Sequence, residues 1–403
     1  MPGKYTTNFI DENGNDLGSV TVGFIEKDYL LEVYPQLVDQ QKAPNLWSWG
    51  LNNVGQLGDN TRTSQSSPVQ TVAGGANWKQ VTSGYSTGMA LKTDGTLWCW
   101  GRAGFGELGD NTTAAKSSPV QTVAGGTNWK QAESSSFTTA LKTDGTLWSW
   151  GRNDYGQLGD NTVAHKSSPV QTVAGGTSWK QVTNGFHCAA ALKDDGTLWT
   201  WGQNYFGQLG DNTIAHKSSP VQTVAGGTTW KQITAKCASS MIAIKTDGTL
   251  WSWGRNSYGQ LGDNTTAAKS SPVQTVAGGT TWKQVSSGNT HSLALKTDGT
   301  LWLWGNNANG QLGDNTITPR SSPVQTIAGG TIWRQVSGGN NHTAALKTDG
   351  TLWTWGINTN GELGDNTTAA KSSPVQTVAG GTSWTEVDAG IYNTIALREG
   401  VGW

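Results

Sequence analysis

The sequence predicts an all-β chain: a seven-bladed β-propeller of four-stranded antiparallel blades with a small N-terminal extension. Three observations carry that expectation. Trp-x-Trp-Gly occurs seven times, starting at Trp47, Trp98, Trp148, Trp199, Trp251, Trp302 and Trp353, with spacings of 51, 50, 51, 52, 51 and 51 residues. A period near fifty belongs to propeller blades rather than helical solenoids. Each unit breaks into short stretches of period two, bounded by Gly, Pro, Asn and Asp. Three Trp recur in each of the seven units and account for 21 of the 22, leaving only Trp403 outside the pattern.

The elements follow in order. Residues 6–10 and 17–24 flank Asn13-Gly14, a strong hairpin signal. Residues 28–38 are apolar at Tyr29, Leu30, Leu31, Val33 and Leu37, and read as a short helix or strand ending near Pro35. Residues 40–45 form a polar linker. A piece of this size cannot hold a core alone. Residues 1–45 are therefore expected to dock on the propeller, on a copy of the chain or on another protein, and residues 46–403 to form the propeller.

In the second unit four strands are expected at 119–123, 129–132, 138–142 and 97–101. Pro119 opens its strand, where a sheet accepts proline. Asp144-Gly145 tolerates the positive φ of a tight hairpin turn. The Ala-rich third strand (Ala140, Ala190, Ala191, Ala344, Ala345) suits a crowded central axis. Paired Trp side chains fill the wedge between blades. For closure, the last blade receives three strands, 374–378, 384–388 and 393–398, and residues 46–50 complete it. Residues 401–403 compete for that role, because Trp403 stands where Trp47 would recur.

Trp-Gly-Arg-Asn-Asp-Tyr-Gly-Gln-Leu-Gly (150–159) and Gly-Asn-Asn-His-Thr-Ala-Ala-Leu (339–346) resemble the RCC1 repeat, of the regulator-of-chromosome-condensation family. The resemblance covers residues 46–403 and implies a seven-bladed β-propeller. The family is best known for a nucleotide-exchange factor that acts on a small GTPase at chromatin. That role depends on a blade insertion and a basic tail. These repeats leave no room for an insertion, and residues 1–45 set Lys4, Lys27 and Lys42 against seven acids.

Composition narrows the function classes. Lys and Arg number 27 against 28 Asp and Glu, which argues against a nucleic-acid surface. No apolar stretch is long enough to insert in a membrane. Cys99, Cys188 and Cys237 hold unrelated repeat positions, so no disulfide framework is expected. The N-terminus lacks the plan of a signal peptide, which points to folding in a cytosol.

Successive antiparallel connections alternate between the two propeller faces. Ala-Gly-Gly and Lys-Thr-Asp-Gly share one face and scarcely vary. The other two connections share the opposite face and differ between repeats. They carry Tyr85, Phe105, Tyr155, Phe186, Tyr205, Phe206, Tyr258 and Tyr392. Aromatics on adaptable polar loops are what binding surfaces use, and these eight are the candidate binding residues.

No catalytic, cofactor or metal site is expected. His291 and His342 occupy one position in adjacent repeats, but no third ligand recurs there. His165 and His216 fall in equivalent loops and read as solvated. The stretch 104–109 matches a dinucleotide fingerprint, yet no helix follows to receive a phosphate. Asp-Asn-Thr recurs seven times and reads as an Asx-type turn rather than an ion site.

The Tyr-Thr-Thr-Asn-Phe start, the Lys-Asp-Tyr-Leu segment at 27–30 and the low-charge repeats together resemble virion proteins of marine bacteriophages. That resemblance implies a non-enzymatic tail-fibre, tail-tip or capsid-surface component. Residues 1–45 would join other virion structural proteins, with possible homo-oligomers, and the propeller would meet a host surface receptor. The alternatives are a bacterial cytosolic protein-binding scaffold and an enzyme or enzyme inhibitor on a propeller frame.

Overall fold

The computed structural model describes residues 5–10, 16–22, 44–72, 77–123, 125–225, 227–236, 239–327 and 332–400. The chain divides into two units, one of them Pro44–Glu399. The smaller unit contains the expected hairpin, Tyr5–Ile10 paired antiparallel with Asp16–Val22. The segment 28–38 and the competing closing strand 401–403 lie outside the described residues.

Pro44–Glu399 is a seven-bladed propeller of four-stranded antiparallel blades. In the first blade the hydrogen-bonded order is Trp78–Ser83, Thr87–Lys92, Leu97–Gly101 and Lys116–Gln121. The next five blades repeat it. The strand beginning with Trp-Lys-Gln is innermost, because its residues line the central channel. The Ala-rich strand is second, one place further from the axis than expected.

Closure differs from expectation in its bookkeeping. Residues 44–50 do complete the last blade, pairing without interruption from Pro44↔Glu399 to Gly50↔Asn393. However, Lys371–Gln376 belongs to the sixth blade, where it pairs with Leu352–Gly356. The seventh blade is therefore two plus two: Trp384–Ala389 and Asn393–Glu399 from the end of the chain, Pro44–Gly50 and Gln65–Gln70 from its start. The reason is that Ser-Ser-Pro-Val-Gln folds back onto the Trp-x-Trp-Gly strand before it. Ala-Gly-Gly is then the link between blades, not a hairpin within one.

The core sits in the wedges between blades. Trp129 and Trp150 of the second blade pack against Met89, Leu91, Leu97 and Cys99 of the first. The two indoles meet nearly edge-on at 5.9 Å, a favoured geometry for aromatic pairs. Trp150 Nε1 donates to Glu107 O of the preceding blade at 2.9 Å, so the buried N–H is satisfied across the wedge. Gly109 lies against this indole at φ +65°, and a Cβ there would come within 2.7 Å of Nε1. That contact accounts for the Gly in the recurring Gln-Leu-Gly. At the seam Leu46, Ile395 and Leu397 meet Trp78, Val81, Ala90 and Trp100 in the same way.

Nearer the axis, glutamine carboxamides clamp neighbouring inner strands. Gln131 Nε2 donates to Val182 O at 3.0 Å while its Oε1 accepts from Val182 N at 3.2 Å. Gln181 does the same with Ile233, and Gln335 with Val387. At the seam the equivalent residue is Glu386, which accepts from the Val81 backbone. Burial pushes its carboxyl up to about 8. A protonated carboxyl offers the donor and acceptor that a carboxamide does.

Two predictions follow from this packing. Trp150→Ala should cost roughly 3–5 kcal/mol, as large core truncations do, read from the urea midpoint. Glu386 binds a proton in the folded state that it lacks when unfolded between about pH 4.5 and 8, so its contribution to stability falls as pH rises through that window. Glu386→Gln should flatten that fall in a series of thermal melts; an unchanged slope would exclude the seam carboxyl as its source.

Candidate protein-binding face

The two variable connections of every blade emerge on one face, and the third-to-outer connection is a rigid pedestal. Asn153 Nδ2 donates to Asp160 Oδ1, Thr162 O and Ala164 O at 3.1–3.2 Å, while its Oδ1 accepts from Leu158 N at 2.9 Å. Asn204, Asn256 and Asn358 repeat this staple. The recurring aspartate accepts from the Thr two residues on, as in Asp160 with Thr162 N and Oγ1. It is the expected Asx-type turn. Because the staple holds the base, residues 154 and 155 and their equivalents project outward.

Phe105, Tyr155, Tyr205, Phe206 and Tyr258 stand on these connections and Tyr85, Phe186 and Tyr392 on the inner loops, so the eight candidate aromatics occupy five consecutive blades, the seventh and the first to fourth. Tyr392 of the seventh blade meets Tyr85 of the first at 6.2 Å, and Tyr85 meets Phe186 of the third at 5.5 Å. The second blade permits that crossing because its inner loop carries only small residues, Ser135 and Ser136. Ser136 Oγ donates to Phe186 O at 2.6 Å beneath the pair. The chain of rings continues from Phe186 to His187 at 4.4 Å, to Tyr155 at 5.2 Å and to Tyr205 at 5.9 Å. Tyr205, Phe206 and Tyr258 are the exposed end, at 58%, 38% and 40% of their full accessibility. Tyr85, Phe105, Tyr155, Phe186 and Tyr392 are half-buried.

The structure adds six residues that the sequence reading did not assign. Arg102 lies over Tyr85 and Phe105, Arg152 over Phe105, and Arg255 over Phe206, each within 5.5 Å of a ring centroid. They share one repeat position, directly after Trp-Gly, and that recurrence was the available signal. His165 and His216 are not simply solvated. Each Nδ1 accepts from a pedestal amide at 2.9 Å, and the rings pack on Phe105 and Tyr205. His187 is held down to about 4 by burial, with Arg152 adding to the effect, so it is neutral at pH 7. The loops of the remaining two blades, the fifth and sixth, carry Asn289, Asn309, Asn340, Asn341 and Asn360 and no aromatic ring.

His291 and His342 are buried on second strands rather than inner ones. Their Nε2 atoms pair with Thr343 Oγ1 and Thr394 Oγ1 of the next blade at 3.2 and 3.0 Å. Burial lowers both to about 3, so they are neutral links between blades. Residues 104–109 form no helix. Glu107 is buried there, accepts from Phe105 N at 2.8 Å and faces Arg102 at 3.6 Å.

The central channel encloses a cavity of about 170 Å³ lined by polar side chains. Lys236, where five other blades carry Gly, reaches across from the fourth blade to Ser337 of the sixth at 2.8 Å and to Asp388 of the seventh. Glu133 lies near this pair, pushed up to about 7 by burial and by Asp388.

A closed propeller with one near-invariant face and one face diversified on rigid loops belongs to the class of repeat proteins built to present a surface. The comparisons agree. The RCC1-like domain profile matches residues 130–396, and RCC1 repeat profiles match 45–91 and 78–107. The chain belongs to the RCC1 repeat family. It is 31% identical over 337 residues to the ultraviolet-B receptor UVR8 of Arabidopsis thaliana, covering 83% of this chain and 66% of UVR8. It is 32% identical over 233 residues to the probable human E3 ubiquitin-protein ligase HERC6, covering 55% of this chain but only 22% of HERC6. Among solved structures, human WBSCR16 superimposes with a TM-score of 0.78 at 21% identity, covering 90% of this chain and all of that one. Saccharomyces cerevisiae Prp20p gives 0.80 at 18%, covering 90% and 92%. At these identities the two structures share the fold.

Lys236→Met should destabilise the propeller by roughly 3 kcal/mol, because it strands Asp388 in a largely buried place. Adding Asp388→Asn should recover part of that loss, and urea denaturation of the two variants measures both.

Proposed function

We propose that this chain is a non-enzymatic protein-binding propeller that meets its partner through the aromatic arc of the loop face. The observation that carries the reading is the continuous run of rings from Tyr392 to Tyr205, with Phe206 and Tyr258 exposed beyond it and Arg102, Arg152 and Arg255 lying over aromatic rings of the same face. Tyr, Phe and Arg on pre-organised loops supply contact area at low entropic cost, and they dominate interface energetics. The family supports it: Prp20p is described with binding properties toward Gsp1p and histones, and yeast RCC1 bound to Kap60.

In its finer form, the partner is a host surface receptor and the chain is a bacteriophage virion component anchored to other structural proteins by residues 1–45. The support is the resemblance of residues 5–9 and 27–30 to virion proteins. The alternative is a cytosolic scaffold that uses the same face.

A photo-crosslinking residue at Tyr205 should capture a partner that the same residue at Asn309, on the Asn-rich fifth blade, does not. Equal capture at both positions excludes the arc. For the finer reading, removing residues 1–43 should leave a folded propeller that no longer enters particles. Incorporation of the truncated chain would exclude the anchor.

A further inference from the structure

Six of the seven blades carry three periodic cations, and two of the three are matched. In those six blades the cation opening the outer strand faces the aspartate of the preceding turn: Lys116 with Asp110, Lys217 with Asp211, Lys269 with Asp263 and Lys371 with Asp365 at 3.6 Å, Lys166 with Asp160 at 3.9 Å, and Arg320 with Asp314 at 3.1 Å. The lysine before Thr-Asp-Gly lies over two indoles, as Lys92 does at 4.9 Å from Trp78 and 4.8 Å from Trp98. The third cation follows the inner Trp: Lys79, Lys130, Lys180, Lys231, Lys283 and Arg334, with Thr385 in the seventh blade. All six are exposed. Among the described residues, the five lysines of this set have neither a carboxylate nor an indole as partner.

Their placement is built into the strands. In the second blade Lys142 pairs with Trp129 and Leu141 with Gln131, so Lys130 is left out of the ladder. The same register shift between Trp and Gln recurs in the other blades. A bulged residue is unpaired, and its side chain is re-aimed. The next residue inward lines the channel at Gln80, Gln181, Gln232, Gln284 and Gln335. The six cations therefore stand at the near-invariant ends of the channel-lining strands, and Arg334 is turned to the Trp384 and Thr385 carbonyls of the seventh blade. The aspartates on this face, such as Asp94, are hydrogen-bonded to the Thr two residues on and act on the indole-stacked lysine of their own turn.

We propose that this ring binds a compact, multiply phosphorylated anion on the propeller axis. Like charges converging on one opening focus a positive potential and attract a counter-ion. Lysine meets phosphate as a point charge, which suits a ligand approached by five lysines of five blades. A ring, rather than a stripe, fits a compact ligand better than a linear nucleic acid. Glu133, Glu386 and Asp388 line the channel behind the mouth, so the anion rests on the opening and does not enter. The inference is independent of the loop face.

Calorimetric titration of the full chain with inorganic tripolyphosphate and with myo-inositol hexakisphosphate tests it. One equivalent per chain is expected, weakening as salt rises. Lys130→Glu with Lys180→Glu and Lys231→Glu should raise Kd by roughly tenfold or more, and the corresponding Gln variants guard against misfolding. Gln121→Glu with Gln171→Glu and Gln222→Glu on the outer strands lowers the formal charge as much as the three Gln variants do and should bind as wild type does. No heat with either probe, several equivalents per chain, or an equal loss in the outer-strand variant would overturn the proposal. So would a short DNA duplex binding as tightly per phosphate.

Discussion

A blade of this protein cannot bury its own apolar surface, and everything else follows from that. The inner Trp and the second Trp of Trp-x-Trp-Gly are almost wholly buried, and they are buried against the preceding blade. The indole N–H of Trp150 bonds to a neighbour's carbonyl, not to its own blade. An open array would leave one blade with its indoles in water and another with an uncovered wall. Ring closure is thus a condition of stability, and the unbroken pairing of Pro44–Gly50 with the end of the chain supplies it.

Closure also explains why the two faces evolve different roles in the molecule. The Thr-Asp-Gly and Ala-Gly-Gly connections interlock between blades: Gly145 approaches the Thr177 carbonyl so closely that a Cβ would sit 1.9 Å from its oxygen. Such turns leave little room for change. On the other face the Asn and Asp staples hold most of the third-to-outer loops from below, so the residues above them vary without cost to the frame. A rigid scaffold that frees its loops is where binding residues concentrate. Six exposed cations sit on the constrained face in identical bulges, and there the repetition itself makes the pattern, since one strand geometry is copied around an axis.

Much of this was legible in the sequence. The period, the Trp count and the Asp-Gly turns gave blade number, blade size and the identity of the closing strand, because each is a local signal repeated seven times. The division of each repeat into blades was less legible. Ser-Ser-Pro-Val-Gln is a strand under either partition, and only its pairing with the earlier Trp strand assigns it there. The same ambiguity moved the Ala-rich strand from the axis to the second place.

For the candidate site, residue type and loop position identified the eight aromatics, but not their contacts. Tyr85 and Phe186 are about a hundred residues apart and touch only because the small loop of the blade between them lets them pass. Arg102, Arg152 and Arg255 read as solvated loop charges until the rings beneath them are placed. By itself the sequence determined the repeat, the strands and which face varies, since these depend on spacing and alternation along the chain. The tertiary structure alone decided which side of that face is aromatic, that Lys236 crosses the channel to Asp388, and that Glu386 stands in for a glutamine at the seam. Those depend on which blades become neighbours in space, and ring closure, not sequence distance, sets that.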